Sequence, residues 1–135
     1  MNITDPPVAV RRLDTDRRDV LAFEACGHLQ ASDIENIYGL LEGACQLHPK
    51  IDVLLRMRDY DGIDWNAMAR DWTLLGRSRA IKHIRRYAVV GGPSWIGATI
   101  GIFKPFFSLE MRHFDAAEER EAWEWIGAKE IPERI

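Results

Sequence analysis

Cysteine, histidine and charge of one sign are all scarce in this chain, and each scarcity removes a class of function. Two cysteines stand among 135 residues, Cys26 and Cys45. Both fall in apolar-periodic settings, which reads as reduced core thiols of a cytoplasmic protein and not as a disulfide scaffold. The four histidines, His28, His48, His83 and His113, are scattered, and no H-E-x-x-H, C-x-x-C or G-x-S-x-G motif occurs. The sequence therefore spells out neither a metal ligand set nor a catalytic residue. Cys26 and His28 alternate onto one side of a strand, but no third group is placed to orient them. A formal net charge of −3, with no basic tail and no RNA-binding aromatic motif, argues against a nucleic-acid partner.

Long apolar runs are missing as well. The most apolar stretch, residues 95–107, is broken by glycine, lysine and proline and falls short of the ~20 residues that span a bilayer. Residues 1–12 lack the apolar core of a signal peptide, so the expected setting is cytoplasmic. No cofactor motif is complete. Gly91-Gly92-Pro93-Ser94 could offer backbone N–H groups to an anion. It has neither G-x-G-x-x-G nor Walker spacing, however, and reads as a tight turn. No cofactor is expected.

What the chain does have is an ordinary globular composition, 47% hydrophobic and 29% charged, over a length that suits one domain, residues 1–135. Strand-like and helix-like periods alternate along it. Residues 8–13 and 20–26 read as an antiparallel hairpin around a polar turn. Ser32 with Glu35 has capping-box spacing for a first helix, whose Ile34, Ile37, Tyr38, Leu41 and Cys45 share a face until Pro49 ends it. Residues 51–57 form a doubly covered strand, and residues 59–64 an acidic loop. A second helix begins near Asp64, with Trp65, Met68, Trp72 and Leu75 on one stripe. Residues 87–90 make another buried strand, and a third helix follows from about Ser94. Residues 109–113 alternate as a half-exposed edge strand. Asp115 and Glu118 cap a last helix that buries Ala122, Trp125 and Ile126 and ends at Gly127. This order predicts an α/β fold: a five-stranded mixed, mostly parallel sheet with four helices, strands two to five parallel through right-handed crossovers.

Several stretches together resemble a known family: DYDGIDW at 59–65, RYAVVGGPSW at 86–95, FKPF at 103–106, EMRHF at 110–114 and EAWEWI at 121–126. They resemble the SpoIIAA-like branch of the STAS proteins over nearly the whole chain. The resemblance implies a STAS-type fold, related in shape to lipid-carrying Sec14 domains, and a homodimer. It also implies no established chemistry for most members; true anti-sigma-factor antagonists carry a phosphorylatable serine in the loop after the third strand. Here that position is the loop with Asp59 and Asp61, and no Ser or Thr occurs between Ile51 and Trp72. A switch that works by adding phosphate charge has no hydroxyl to act on.

The third helix carries the strongest functional signal. Trp95, Ile96, Thr99, Ile100, Ile102, Phe103, Phe106 and Phe107 cover one broad arc, with Gly97, Gly101 and Lys104 opposite. Packing on the sheet accounts for such an arc. Its alternative uses are to line an apolar pocket with Trp65 and Trp72, or to form a dimer face, with Gly97 and Gly101 letting the backbone approach a neighbour. Arg77, Arg79, Lys82, Arg85 and Arg86 are explained by solvation and the helix dipole, and leave peripheral contact with anionic lipid heads open. Three expectations follow in order. The first is a non-catalytic module binding an apolar small molecule or lipid. The second is a regulatory domain docking a protein partner through the aromatic helix, and the third a small enzyme using the acidic loop.

Overall fold

The computed structural model describes residues 10–29, 31–63, 82–92, 97, 98, 100, 101 and 109–132, with residues 27–29, 31 and 59–63 described by their backbone alone. Strands β1 (Val10–Leu13), β2 (Val20–Leu29), β3 (Ile51–Ile63), β4 (Ile84–Gly91) and β5 (Glu110–Phe114) form one sheet in the spatial order β1-β2-β3-β4-β5. β1 runs antiparallel to β2, and the pairs β2–β3, β3–β4 and β4–β5 are parallel. The expected α/β architecture with a mixed, mostly parallel five-stranded sheet is thus the observed one. Two α-helices are described where four were expected: α1 (Ala31–Leu47) and α2 (Glu119–Ile126), the latter led in by a 3-10 turn at Ala116–Glu118. The expected second helix lies outside the described residues. Of the third, positions 97, 98, 100 and 101 are helical.

Strand alternation sends apolar side chains to both faces, and each face has its own helix. On one face Leu21, Phe23, Val53, Leu55, Tyr87, Val89 and Met111 pack with Ile34, Ile37, Tyr38 and Leu41 of α1. On the other, Leu13, Val20, Ala22, Leu54, Ala88, Val90 and Phe114 pack with Ala122, Trp123 and Ile126 of α2. Val53, Leu54 and Leu55 are therefore buried in succession, as a covered parallel strand requires. Each such aliphatic side chain contributes roughly 1.5–3 kcal/mol on burial.

Four local expectations need correction. β3 does not stop at Met57 before an acidic loop; it continues through Ile63, because β2 also continues and supplies backbone partners as far as Leu29. Ser32 is not the cap of α1, since the helix begins at Ala31 and places Ser32 in its first turn. In α2 the buried tryptophan is Trp123. Trp125 lies on the flank, against Phe114 with ring centroids 5.9 Å apart and beneath the Arg86 guanidinium at 5.2 Å. Asp115 and Glu118 cap the 3-10 turn first, the Asp115 N–H donating to Glu118 Oε1 at 2.8 Å. Gly127 ends α2 as expected, with φ +81° and its N–H donating to the Trp123 carbonyl at 2.9 Å.

Candidate functional site

Open parallel sheets bind ligands beyond the carboxyl ends of their strands, and here that end is stepped. β4 finishes at Gly91, paired with Met57 of β3. β2 and β3 go on together past that point, but the register slips twice. Cys26 pairs with Arg58, Gly27 with Tyr60, His28 with Gly62 and Leu29 with Ile63. Asp59 and Asp61 are the residues skipped, so each sits at a bulge of the projecting ribbon. From Arg58 to Ile63 the ribbon extends roughly 20 Å beyond Met57 at ~3.3 Å per residue.

The step is sharp because Gly91 makes it so. Its φ is +78°, and a Cβ there would stand 2.7 Å from the Met57 carbonyl oxygen, so only glycine fits. Gly92 follows at φ +82°. The Gly91 carbonyl accepts from His113 Nε2 on β5 at 2.9 Å. A carbonyl can only accept, so Nε2 is the donor in this contact and the second ring nitrogen is Nδ1. That nitrogen faces Gly97, where a Cβ would come within 3.2 Å of it. His113 thus clasps both glycine-containing segments on the side of the step away from the ribbon.

On the α2 face of the same end lies a buried ion cluster. Glu24 and Arg56 are register partners on β2 and β3, and each side chain is 5% exposed. Arg56 Nε donates to Glu24 Oε2 at 2.8 Å. Its Nη1 donates to Glu119 Oε2 at 2.7 Å and Glu130 Oε1 at 2.8 Å, and Nη2 to Glu130 Oε2 at 3.2 Å. Arg11 Nε also reaches Glu24, at 3.1 Å, and Trp123 Nε1 donates to Glu119 at 3.1 Å. Burial alone would weaken the Arg56 charge, but hydrogen bonds to Glu130 and Glu119 more than offset it and raise its pKa. Burial likewise pushes Glu24 up, yet the Arg11 and Arg56 hydrogen bonds bring it below the ordinary carboxylate value.

A second buried carboxylate, Asp52, stands at the amino end of β3. Arg85 grips it with Nε at 3.1 Å and Nη2 at 2.6 Å, and the Arg86 N–H adds a bond at 3.2 Å. Arg17 holds Asp19 through Nε at 3.0 Å and Nη2 at 2.7 Å and crosses to the Ile126 carbonyl at 3.1 Å. It thereby covers the carboxyl terminus of α2, where a cation opposes the helix dipole.

Of the residues singled out from sequence, Trp65, Trp72, Trp95, Ile102, Phe103, Phe106 and Phe107 lie outside the described residues. Asp59 and Asp61 are on β3 and not in a loop. Ile100 of the aromatic arc is buried in the α1-side core. Gly97 does let its backbone approach a neighbour, the His113 ring, whereas Gly101 is exposed, with nothing among the described residues within 4 Å of its Cβ position. Arg85 and Arg86 are engaged with Asp52, Glu110 and the Trp125 carbonyl. The sequence reading passed over the Glu24–Arg56 cluster. Its signal was a lone charge inside each of two apolar strands, Glu24 two residues after Ala22 and Arg56 two after Leu54. Among the described residues no His, Cys, Asp or Glu group is arranged to hold a metal ion. No described helix is long and apolar enough to cross a membrane.

The fold has a solved counterpart. The crystal structure of an uncharacterized protein with a SpoIIAA-like fold from Shewanella loihica PV-4 superposes with a TM-score of 0.66 at 24% identity, covering 93% of this chain and 99% of that one. No curated protein matches. A family model described as SpoIIAA-like matches residues 20–127, a span that contains β2 through α2 and both sides of the stepped edge. The chain belongs to the SpoIIAA-like family.

Proposed function

We propose that this SpoIIAA-like chain is a non-catalytic binding module that takes an apolar small molecule or lipid at the carboxyl end of β2–β5, between sheet and helix. The step in that end carries the reading: a two-stranded ribbon stands beyond Gly91 on one side, and the His113 clasp stands on the other. The carboxyl ends of the strands are where open α/β sheets hold small ligands. In the sequence Trp65 stands two positions after Ile63, and Trp95 four after Gly91. The ionisable groups nearby favour binding over chemistry. His113 is tied to Gly91, and Glu24 and Arg56 are tied to one another.

Native mass spectrometry of the purified chain tests the reading. The expected result is a bound apolar species that organic extraction removes and that the emptied chain takes up again. A chain that arrives empty and also ignores added fatty acid and lysophospholipid would overturn it. The same spectra give the subunit number, and hence test the expected homodimer.

A further inference from the structure

The family match spans residues 20–127, and the described segments on either side of it meet each other. Thr15 and Glu130 form an antiparallel bridge. The Asp16 N–H donates to the Lys129 carbonyl at 3.0 Å, the Ile131 N–H to the Asp14 carbonyl at 2.8 Å, and the Lys129 N–H to Asp16 Oδ1 at 2.8 Å. Residues 128–132 thus lie as an extended strap along the turn between β1 and β2. The strap is thinly anchored by apolar contact: Ala128 is buried, but Ile131 is 47% exposed.

Its firmest hold is ionic. Glu130 fits the Arg56 fork with both carboxylate oxygens, Oε1 to Nη1 at 2.8 Å and Oε2 to Nη2 at 3.2 Å. This is the planar two-bond geometry by which a guanidinium recognises a carboxylate. Arg56 has two further carboxylates besides Glu130, because Glu24 and Glu119 face it at 2.6 and 2.7 Å. A buried charge stripped of its one partner is costly, but withdrawal of Glu130 leaves Arg56 with two. The strap also borders an open groove of about 470 Å³ lined by Asp16, Trp123, Gly127, Ala128 and Lys129, so a competing chain has room to approach.

We propose that residues 128–132 act as a displaceable internal ligand, and that the cleft they fill, between the β1–β2 turn and Arg56, is a binding site for an extended peptide presenting one carboxylate. The backbone groups of Asp14 and Asp16 read the extended chain and the Arg56 fork reads the acid, the combination used when a strand is added to an open edge. The site is separate from the stepped carboxyl end and stands whether or not an apolar ligand binds there.

The test uses the full chain, its Glu130→Gln variant, and a synthetic hexapeptide GAKEIP beside its glutamine analogue GAKQIP, both amidated at the C-terminus so that the glutamate is the one carboxylate. An internal occupant lowers the apparent affinity for a competitor by the fraction of time the site is vacant. The acidic peptide is expected to bind the E130Q chain about 10-fold or more tighter than the unsubstituted chain, and GAKQIP to bind neither. Equal binding of GAKEIP to both chains, or equal binding of both peptides, would overturn the proposal. Hydrogen exchange on the unsubstituted chain keeps the test decisive if E130Q fails to fold. The Asp16, Lys129 and Ile131 amides are expected to exchange together, well ahead of the Leu54 amide. Exchange of all four in step would overturn the displaceable strap.

Discussion

Glu24 and Arg56 face each other as register partners on two parallel strands, Nε to Oε2 at 2.8 Å, with nearly all of both side chains out of water. The pair sits on the face of the sheet that α2 covers. There it links β2 and β3 to the carboxylates of Glu119 and Glu130, and so ties the last helix and the residues after it to the centre of the fold.

Removing one partner of this pair strands the other. Arg56→Leu is expected to destabilise the chain by about 3–5 kcal/mol, because Glu24 is left buried and Glu119 and Glu130 lose their shared donor. The double variant Glu24→Leu/Arg56→Leu is expected to be milder than Arg56→Leu alone, since it removes the buried anion together with the cation. Urea denaturation of the three chains checks both statements.

Acid is expected to weaken the fold through the same carboxylates. Glu24 and Asp19 both titrate below the ordinary carboxylate value, Glu24 through the arginine contacts that overcome its burial and Asp19 chiefly through its hydrogen bond from Arg17. For a lowered native pKa the unfolded chain binds protons first. The stabilisation is therefore complete above about pH 4–5 and is lost as pH falls through that range to the native values. Thermal melts between pH 7 and pH 2.5 are expected to decline in this window, less steeply for Glu24→Gln than for the unsubstituted chain.

Two glycine substitutions are expected to act in opposite directions. Gly91→Ala places a Cβ against the Met57 carbonyl oxygen at a positive φ and is expected to cost about 2 kcal/mol or more. Gly101→Ala falls on an exposed helical position with no described residue within 4 Å of the new Cβ and is expected to gain up to about 1 kcal/mol. Melting temperatures of the two variants, measured side by side, decide the matter.

The binding proposal makes its own demand on the aromatic residues. A Phe106→Ala/Phe107→Ala chain is expected to stay folded by circular dichroism and to lose most of its bound apolar species in native mass spectra. Full retention of that species in a folded variant would remove these two side chains from the site.

Much of the scaffold is legible in the sequence, because it follows from local patterns. The continuous apolar run around Leu54 announced a strand covered on both faces, and the spacing of Ile34, Ile37, Tyr38 and Leu41 announced the buried stripe of α1. Two of the misreadings share one cause, a long-range partner outweighing a local signal. DYDG after Arg58 has turn chemistry, yet the backbone of Gly27, His28 and Leu29 recruits it into β3. Trp125 has the hydrophobicity of a core residue, yet Arg86 and Phe114 offer it a flank while Trp123 takes the interior. Glu24 and Arg56 are 32 positions apart, and nothing short of the strand register brings them together. The candidate site was legible only as a location: the carboxyl ends of the strands were predicted, the step between β3 and β4 was not.

Strands that lie side by side in the order in which they occur along the chain have a consequence for synthesis. As the polypeptide leaves the ribosome, each new strand meets an existing sheet margin, so the sheet can be laid down from one end to the other without waiting for distant sequence. The exception is the α2 face. Arg56 emerges long before Glu119 and Glu130, and until those carboxylates arrive the nascent sheet carries a cation with only Glu24 to shield it. Completion of that surface waits for residues 119–130 to be made.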